Sequence, residues 1–250
     1  MNKINNFPVI LDKRFQESEF RKNNNYIFEV CENTKKLSGK FERENTAILI
    51  SGPSGSGKDS IIDLLPKIFS RVRTCTTRAI RPEELENDPY IRLTLEEFKK
   101  GINNNEFLET NLYDGNYYGS KVSEINKVKL QNKIPILRID PTGAKNAMRI
   151  QREKPQILDG LKILYFYIVP PSEEILKERI YKRDVEIFLD KDEREEAKKK
   201  ATKRFEGTVL KDLKLSKYAH FIVINYDGKL EEVTQSIIDT FESYLPINIR

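Results

Sequence analysis

A chain of 250 residues, 38% hydrophobic and 33% charged, is long enough to bury a full core as one large domain or a core with insertions. No stretch approaches the ~20 apolar residues of a membrane helix, and Met1 to Ile10 lacks the apolar run of a secretory signal, so a cytoplasmic protein with no membrane partner is expected. Two cysteines, Cys31 and Cys75, exclude a disulfide framework or a zinc site; the net charge of +5 suits an anionic ligand, yet no RNA-binding aromatic signature accompanies it.

Residues 1–44 are rich in Asn, Lys and Glu around an apolar island, Tyr26 to Val30, and read as an extension ahead of a domain spanning 45–250. Thr46 to Ile50 is a buried-strand pattern. It runs into Gly52-Pro53-Ser54-Gly55-Ser56-Gly57-Lys58-Asp59-Ser60, which fits the G-x-x-x-x-G-K frame of a phosphate loop. Glycines let successive N–H groups face phosphate oxygens, and the helix expected over 57–68 adds its positive N-terminal end. Lys58 would reach the β- and γ-phosphates of a nucleotide triphosphate. The next side chain normally ligates Mg²⁺, and Asp59 stands there in place of a hydroxyl. A carboxylate is a hard oxygen ligand, which makes Asp59 the candidate metal residue.

Beyond the loop, strand patterns at Ile134 to Ile139, Lys162 to Val169 and Ala219 to Asn225 alternate with helical ones. The helices are expected at 94–103, 120–132, 142–152, 172–186, 192–215 and 229–244. This alternation predicts an α/β fold, a P-loop core whose parallel sheet is flanked by helices. The Lys-rich run at 198–204 reads as a solvated helix face, and His220, the one histidine, as a structural residue within a strand.

Residues 70–120 carry chemistry that such a core does not need. Arg78 and Arg81, with tyrosine and serine hydroxyls nearby, make a sensible cage for a second phosphate. Glu109, if buried, could accept the N1–H and exocyclic amine of guanine.

These residues sit within segments that resemble guanylate kinase: Thr74 to Glu84, Tyr90, Asn104 to Glu109, Gly115 to Ser120 and Leu137 to Lys145. The resemblance covers roughly residues 46–245. It implies ATP as donor, GMP (and dGMP) as acceptor and Mg²⁺ as the metal, with a GMP-binding insertion at about 74–130 and a helical lid at about 171–206. It also implies Arg78, Arg81, Tyr90 and Tyr118 at the GMP phosphate, Thr74, Glu109, Ser120 and Asp140 at the guanine, and Glu84 close by. The segment Pro170 to Arg183 resembles the approach to the lid, which makes Arg179 and Arg183 its catalytic arginines, with a further arginine near 198–204. Asn225 resembles the position that contacts adenine. The chain departs from the family at Asp59, at Arg138, and around Asn87 to Arg92, where the family pattern has phenylalanine at the place of Arg92. The Gly-Lys-Asp-Ser loop also resembles ribose 1,5-bisphosphate phosphokinases. That activity stays open, as does a catalytically weak guanylate-kinase-like binding module, and nothing in the residues separates monomer from homodimer.

Overall fold

The computed structural model describes residues 41–80, 90–113 and 115–245. The extension, its apolar island, Arg81 and Glu84 therefore lie outside the described residues, apart from positions 41–44. The described residues divide into two compact units, one built from 51–65 and 165–244, the other from 41–50, the described part of 66–164, and Leu245.

In the second unit, β1 (Thr46–Ser51), β2 (Phe69–Arg71) and β7 (Ile134–Arg138) pair in the order β2-β7-β1, all parallel. Every residue of β1 is buried, and so is β7 as far as Leu137. Continuous burial is what a parallel strand covered on both faces requires. The remainder of this unit is a four-stranded sheet in the order β4-β3-β6-β5. Its strands are β3 (Thr74–Thr76), β4 (Tyr90–Arg92), β5 (Phe107–Tyr113) and β6 (Asn116–Lys121). Helix α2 (Leu95–Asn103), started by a Thr94/Glu97 capping box, covers it with Phe98, whose ring stacks 4.5 Å from that of Phe107. Cys75 is buried in the same cluster, and burial pushes its thiol up to about 11, so it is a packing residue rather than a nucleophile. Helices α3 (Val122–Leu130) and α4 (Pro141–Glu153) complete the unit.

The first unit holds α1 (Lys58–Leu64) and the parallel pair formed by β8 (Lys162–Val169) and β9 (Phe221–Ile224). It also holds α5 (Glu173–Asp184), α6 (Lys191–Arg204), the short α7 (Leu210–Leu213) and α8 (Leu230–Tyr244), the last packed on α1 and β9. Leu176 and Ile180 of α5 meet Ala197, Ala201, Phe205 and Val209 in one apolar cluster, which is what holds α5 and α6 together. Among the described residues no helix is long and apolar enough to cross a membrane.

Three helix expectations need correction. The helix after the loop stops at Leu64, not 68, because Pro66 forces Leu65 into extended backbone. The pattern at 120–132 begins as the end of β6 and turns helical only at Val122. The run at 192–215 is not one helix: α6 ends at Arg204 and a π-helical stretch, Phe205–Val209, follows.

His220 is buried, and its Nδ1 accepts from the backbone N–H of Tyr165 at 3.1 Å. Burial alone drives its pKa down to about 4 from 6.5. The unfolded chain therefore binds the extra proton first as pH falls. Stability is complete above about pH 6.5 and is lost between about 6.5 and 4, by about 3 kcal/mol at full shift. Thermal unfolding followed over that range should show the decline, and His220→Asn, which keeps an acceptor, should flatten it.

Candidate active site

The loop between β1 and α1 is shaped by Gly57 and closed by its own lysine. Gly57 caps α1 at φ 86°, and a Cβ there would lie 2.2 Å from Nδ2 of Asn225. That amide donates to the carbonyl of Ser56 at 2.9 Å, so Asn225, at the end of β9, braces the loop. This gives the predicted adenine contact a structural duty through its nitrogen. Lys58 is buried, and its Nζ donates to the carbonyls of Gly52 (2.8 Å) and Pro53 (2.7 Å) and to Oγ of Ser56 (3.3 Å). The ammonium thus sits within the ring of loop groups. Asp59 and Ser60 are exposed in the first turn of α1.

Two arginines, one from α5 and one from α6, converge on Ser54 of this loop. Arg183 donates through Nη2 to Oγ of Ser54 at 3.2 Å, and Arg204 donates through its own Nη2 to the same oxygen. Asp184 holds both guanidinium groups, at 2.6 Å from Arg183 and 2.9 Å from Arg204. Burial works to raise the Asp184 carboxyl, but the bond from Arg183 and both positive charges outweigh it and leave the group below its ordinary range. Arg204 is the arginine within 198–204, where the resemblance implied a further one. Arg179, predicted alongside Arg183, is engaged differently. Its Nη2 donates to Asp227 at 2.6 Å and to the carbonyl of Asn225 at 2.8 Å. Nη1 of Arg179 and Nε of Arg204 are buried without a hydrogen-bond acceptor among the described residues. A buried cationic N–H left unpaired is costly, and a phosphate oxygen is the kind of acceptor that would satisfy it.

The other unit assembles a carboxylate pocket. A β-bulge between Phe107 and Glu109 brings Glu109 opposite Ser120, whose Oγ donates to Glu109 Oε1 at 2.9 Å. The Glu109 carboxyl is buried and its pKa rises to about 8, first from burial and then from the charge of Asp140, with the Ser120 bonds opposing. Asp140 is the N-cap of α4: its Oδ1 accepts from the backbone N–H of Thr142 (2.9 Å) and Gly143 (3.0 Å), and from Nδ2 of Asn111 (2.9 Å). Asn111, which the sequence reading passed over, thereby ties β5 to that helix start. The Asp-Pro-Thr-Gly run was a legible capping signal, because proline is favoured at the first helical position.

The lack of a side chain at Gly143 makes this approach possible. A Cβ there would stand 2.6 Å from Cγ2 of Ile139 and 2.7 Å from Oε2 of Glu109. Gly143→Ala should therefore displace the carboxylate and raise the KM for an acceptor read by Glu109 by roughly tenfold, the scale of one buried hydrogen bond. Steady-state kinetics with the donor varied in parallel checks it, since the KM for the donor should not move.

Beside this pocket lie the residues predicted for a phosphate. Thr74 and Tyr90 are register partners across β3 and β4. The rings of Tyr90 and Tyr118 meet edge to face at 6.2 Å, and the Arg78 guanidinium lies 5.4 Å from the Tyr90 centroid. Arg78, Tyr90 and Tyr118 are thus brought together, as are Glu109, Ser120 and Asp140.

Comparison with known proteins points one way. The guanylate kinase family model matches residues 44–242. A guanylate kinase of Mesomycoplasma hyopneumoniae is 40% identical over 156 residues, covering 61% of this chain and 78% of that one. One from Clostridium perfringens is 40% identical over 156 residues, covering 60% and 68%. The crystal structure of guanylate kinase from Anaplasma phagocytophilum superposes with a TM-score of 0.52 at 20% identity, covering 83% of this chain and 89% of that one, which speaks for a shared fold. A family match over most of the chain, joined to relatives at this identity, shows the family: the chain belongs to the guanylate kinase family.

Proposed function

We propose that this protein is a nucleoside monophosphate kinase that transfers the γ-phosphoryl group of ATP to GMP, and to dGMP, giving ADP and the nucleoside diphosphate. The observation that carries the reading is the convergence of Lys58, Arg183 and Arg204 on the loop from Gly52 to Ser60. The family match and the buried Glu109–Ser120 pair support guanine as the acceptor base. Nothing among the described residues favours a sugar bisphosphate or a binding module that has lost its loop.

Phosphoryl transfer asks for positioning and charge neutralisation more than for covalent chemistry. An acceptor phosphate oxygen attacks the γ-phosphorus, the bond to the β–γ bridging oxygen breaks, and ADP carries that electron pair away. Lys58 turns from the loop carbonyls to the β- and γ-oxygens, while Arg183 and Arg204 offset charge on the transferring group. Arg179 braces the end of β9 and offers its unpaired Nη1. Arg78, Tyr90 and Tyr118 hold the acceptor phosphate, with Arg81 and Glu84 assigned there from the sequence. Thr74, Glu109, Ser120 and Asp140 read the base, Glu109 as the ionised acceptor. No strong general base is needed, because a nucleotide phosphate is already a nucleophile near neutral pH.

Guanylate kinases use a divalent metal, and the residues present fit one. Mg²⁺ keeps several waters and takes one or two carboxylates plus substrate oxygens, and the exposed Asp59 carboxylate beside Lys58 meets that demand. When bound, the ion would supply charge neutralisation for the donor phosphates, with Asp59 holding it. The buried free thiol of Cys75 fits a reducing, cytoplasmic setting.

The test is ADP formation from MgATP with GMP, dGMP, AMP, UMP, CMP and ribose 1,5-bisphosphate offered separately. Turnover confined to GMP and dGMP is expected. Turnover with the sugar bisphosphate, or none with GMP, would overturn the assignment.

A further inference from the structure

Arg92 closes β4 at a position where nothing assigns it a duty, and its contacts single it out. Its Nη1 donates to the carbonyl of Arg78 at 2.8 Å and to that of Ala79 at 3.2 Å. Its guanidinium carbon lies 4.9 Å from the centroid of the Tyr90 ring. The Arg78 guanidinium lies 5.4 Å from the same ring, and Nη1 of Arg78 donates to the same Ala79 carbonyl at 3.1 Å. Arg92 therefore touches two members of the proposed phosphate cage, Arg78 through its backbone and Tyr90 through its ring face. The strands agree, since Arg92 is the register partner of Thr76, whose Oγ1 accepts from the backbone N–H of Arg78 at 3.1 Å.

We propose that Arg92 is a positioning residue for the acceptor phosphate, presenting the Arg78 guanidinium and the Tyr90 hydroxyl as one unit. This rests on the reading given above, that the GMP phosphate is held by Arg78 and Tyr90. The chemistry selects arginine. A planar guanidinium donates in its own plane to neighbouring carbonyls while its face lies on an aromatic ring. A lysine ammonium is a point charge on a flexible stem. It keeps the positive potential but cannot hold the carbonyls and stack at once. Arg92→Lys thus separates positioning from charge.

The experiment is a double-mutant cycle on binding, read by calorimetry with GMP, guanosine and MgATP as separate probes. The proteins are the parent, Arg92→Lys, Tyr90→Leu and the double variant. Arg92→Lys should weaken GMP by roughly tenfold, the scale of one net hydrogen bond, and leave guanosine and MgATP within twofold. In the Tyr90→Leu background the same change should cost no more than about threefold, because its route through the ring is gone. Unchanged GMP affinity in Arg92→Lys would overturn the proposal. So would an equal loss in both backgrounds, which would make Arg92 a direct phosphate contact, or an equal loss for MgATP, which would make it merely structural. The parent settles the underlying reading independently: if it binds guanosine as tightly as GMP, the phosphate cage itself is misassigned, whatever the variants do.

Discussion

Lys58→Ala should lower kcat for phosphoryl transfer by roughly 10²–10³-fold, the cost of removing one preorganised cation from a transition state that concentrates negative charge. The geometry makes this lysine hard to replace. Its ammonium is buried and already lies within reach of two loop carbonyls and the Ser56 hydroxyl, so turning toward a phosphate exchanges one set of oxygens for another. Arg183 and Arg204 meet the loop at Ser54, a different point from the one the ammonium occupies. GMP affinity should stay within about twofold, because Lys58 is assigned to the donor phosphates and not to the acceptor. Single-turnover assays alongside direct GMP binding separate the two quantities. A normal rate would remove the donor assignment from this loop, and a matching loss of GMP affinity would show that the variant is misfolded.

The second large effect concerns pH. Guanine offers donors on the edge that Glu109 is assigned to read, so the carboxyl must be ionised to accept them, yet its pKa in the empty pocket is about 8. Binding then expels a proton. GMP affinity should climb by up to about tenfold per pH unit between 6 and 8 and level off above, the slope of one proton released. Glu109→Gln should bind GMP more weakly and without that slope, since an amide does not titrate. Calorimetry in buffers of different ionisation heat counts the proton directly. A flat profile in the parent would take Glu109 out of the base site. Stability should run the opposite way. The folded pKa lies above the unfolded value of 4.5, so the stability tied to the neutral carboxyl is full below 4.5 and lost as pH rises through about 8. Glu109→Gln should consequently raise the melting temperature at pH 8 while impairing the site.

Parallel strands and the phosphate loop were legible because each obeys a strong local rule. β1, β7 and β8 are unbroken apolar runs, and the glycine spacing of the loop has few other uses. The four-stranded sheet was not legible. Strands β3 and β4 have three residues each, too short to show a period. Strand β5 breaks its own alternation: Glu109 is buried while Leu112 is exposed, and the bulge after Phe107 shifts the phase. The residue chosen for chemistry is thus the one that hides the strand carrying it. Site identity was read from resemblance rather than from pattern, and it recovered side chains that do sit together. It expected a further arginine near 198–204 without choosing one, since Arg204 is one cation among many in a Lys-rich helix until tertiary packing brings it to Ser54. It marked Arg92 as a departure from the family pattern but gave it no role, because its carbonyl and ring partners are recorded by no sequence motif.

The π-helical stretch from Phe205 to Val209 begins immediately after Arg204. A π turn holds an extra residue in the arc of an α turn, so the helices on either side keep nearly the rotational phase of an uninterrupted helix. Phe205 and Val209 anchor that arc in the apolar cluster with Leu176 and Ile180, while Leu213 is buried one helix further on. Deleting a single residue within 205–209 would leave an ordinary α-helix, which is locally no less stable. The same deletion from the regular part of α6 would turn everything beyond it by about 100°, the rotation one residue contributes. Within the widened turn the change is absorbed, and the Arg204 guanidinium keeps its side of the helix, facing Ser54. At this place the chain can differ in length by one residue without redirecting that charge.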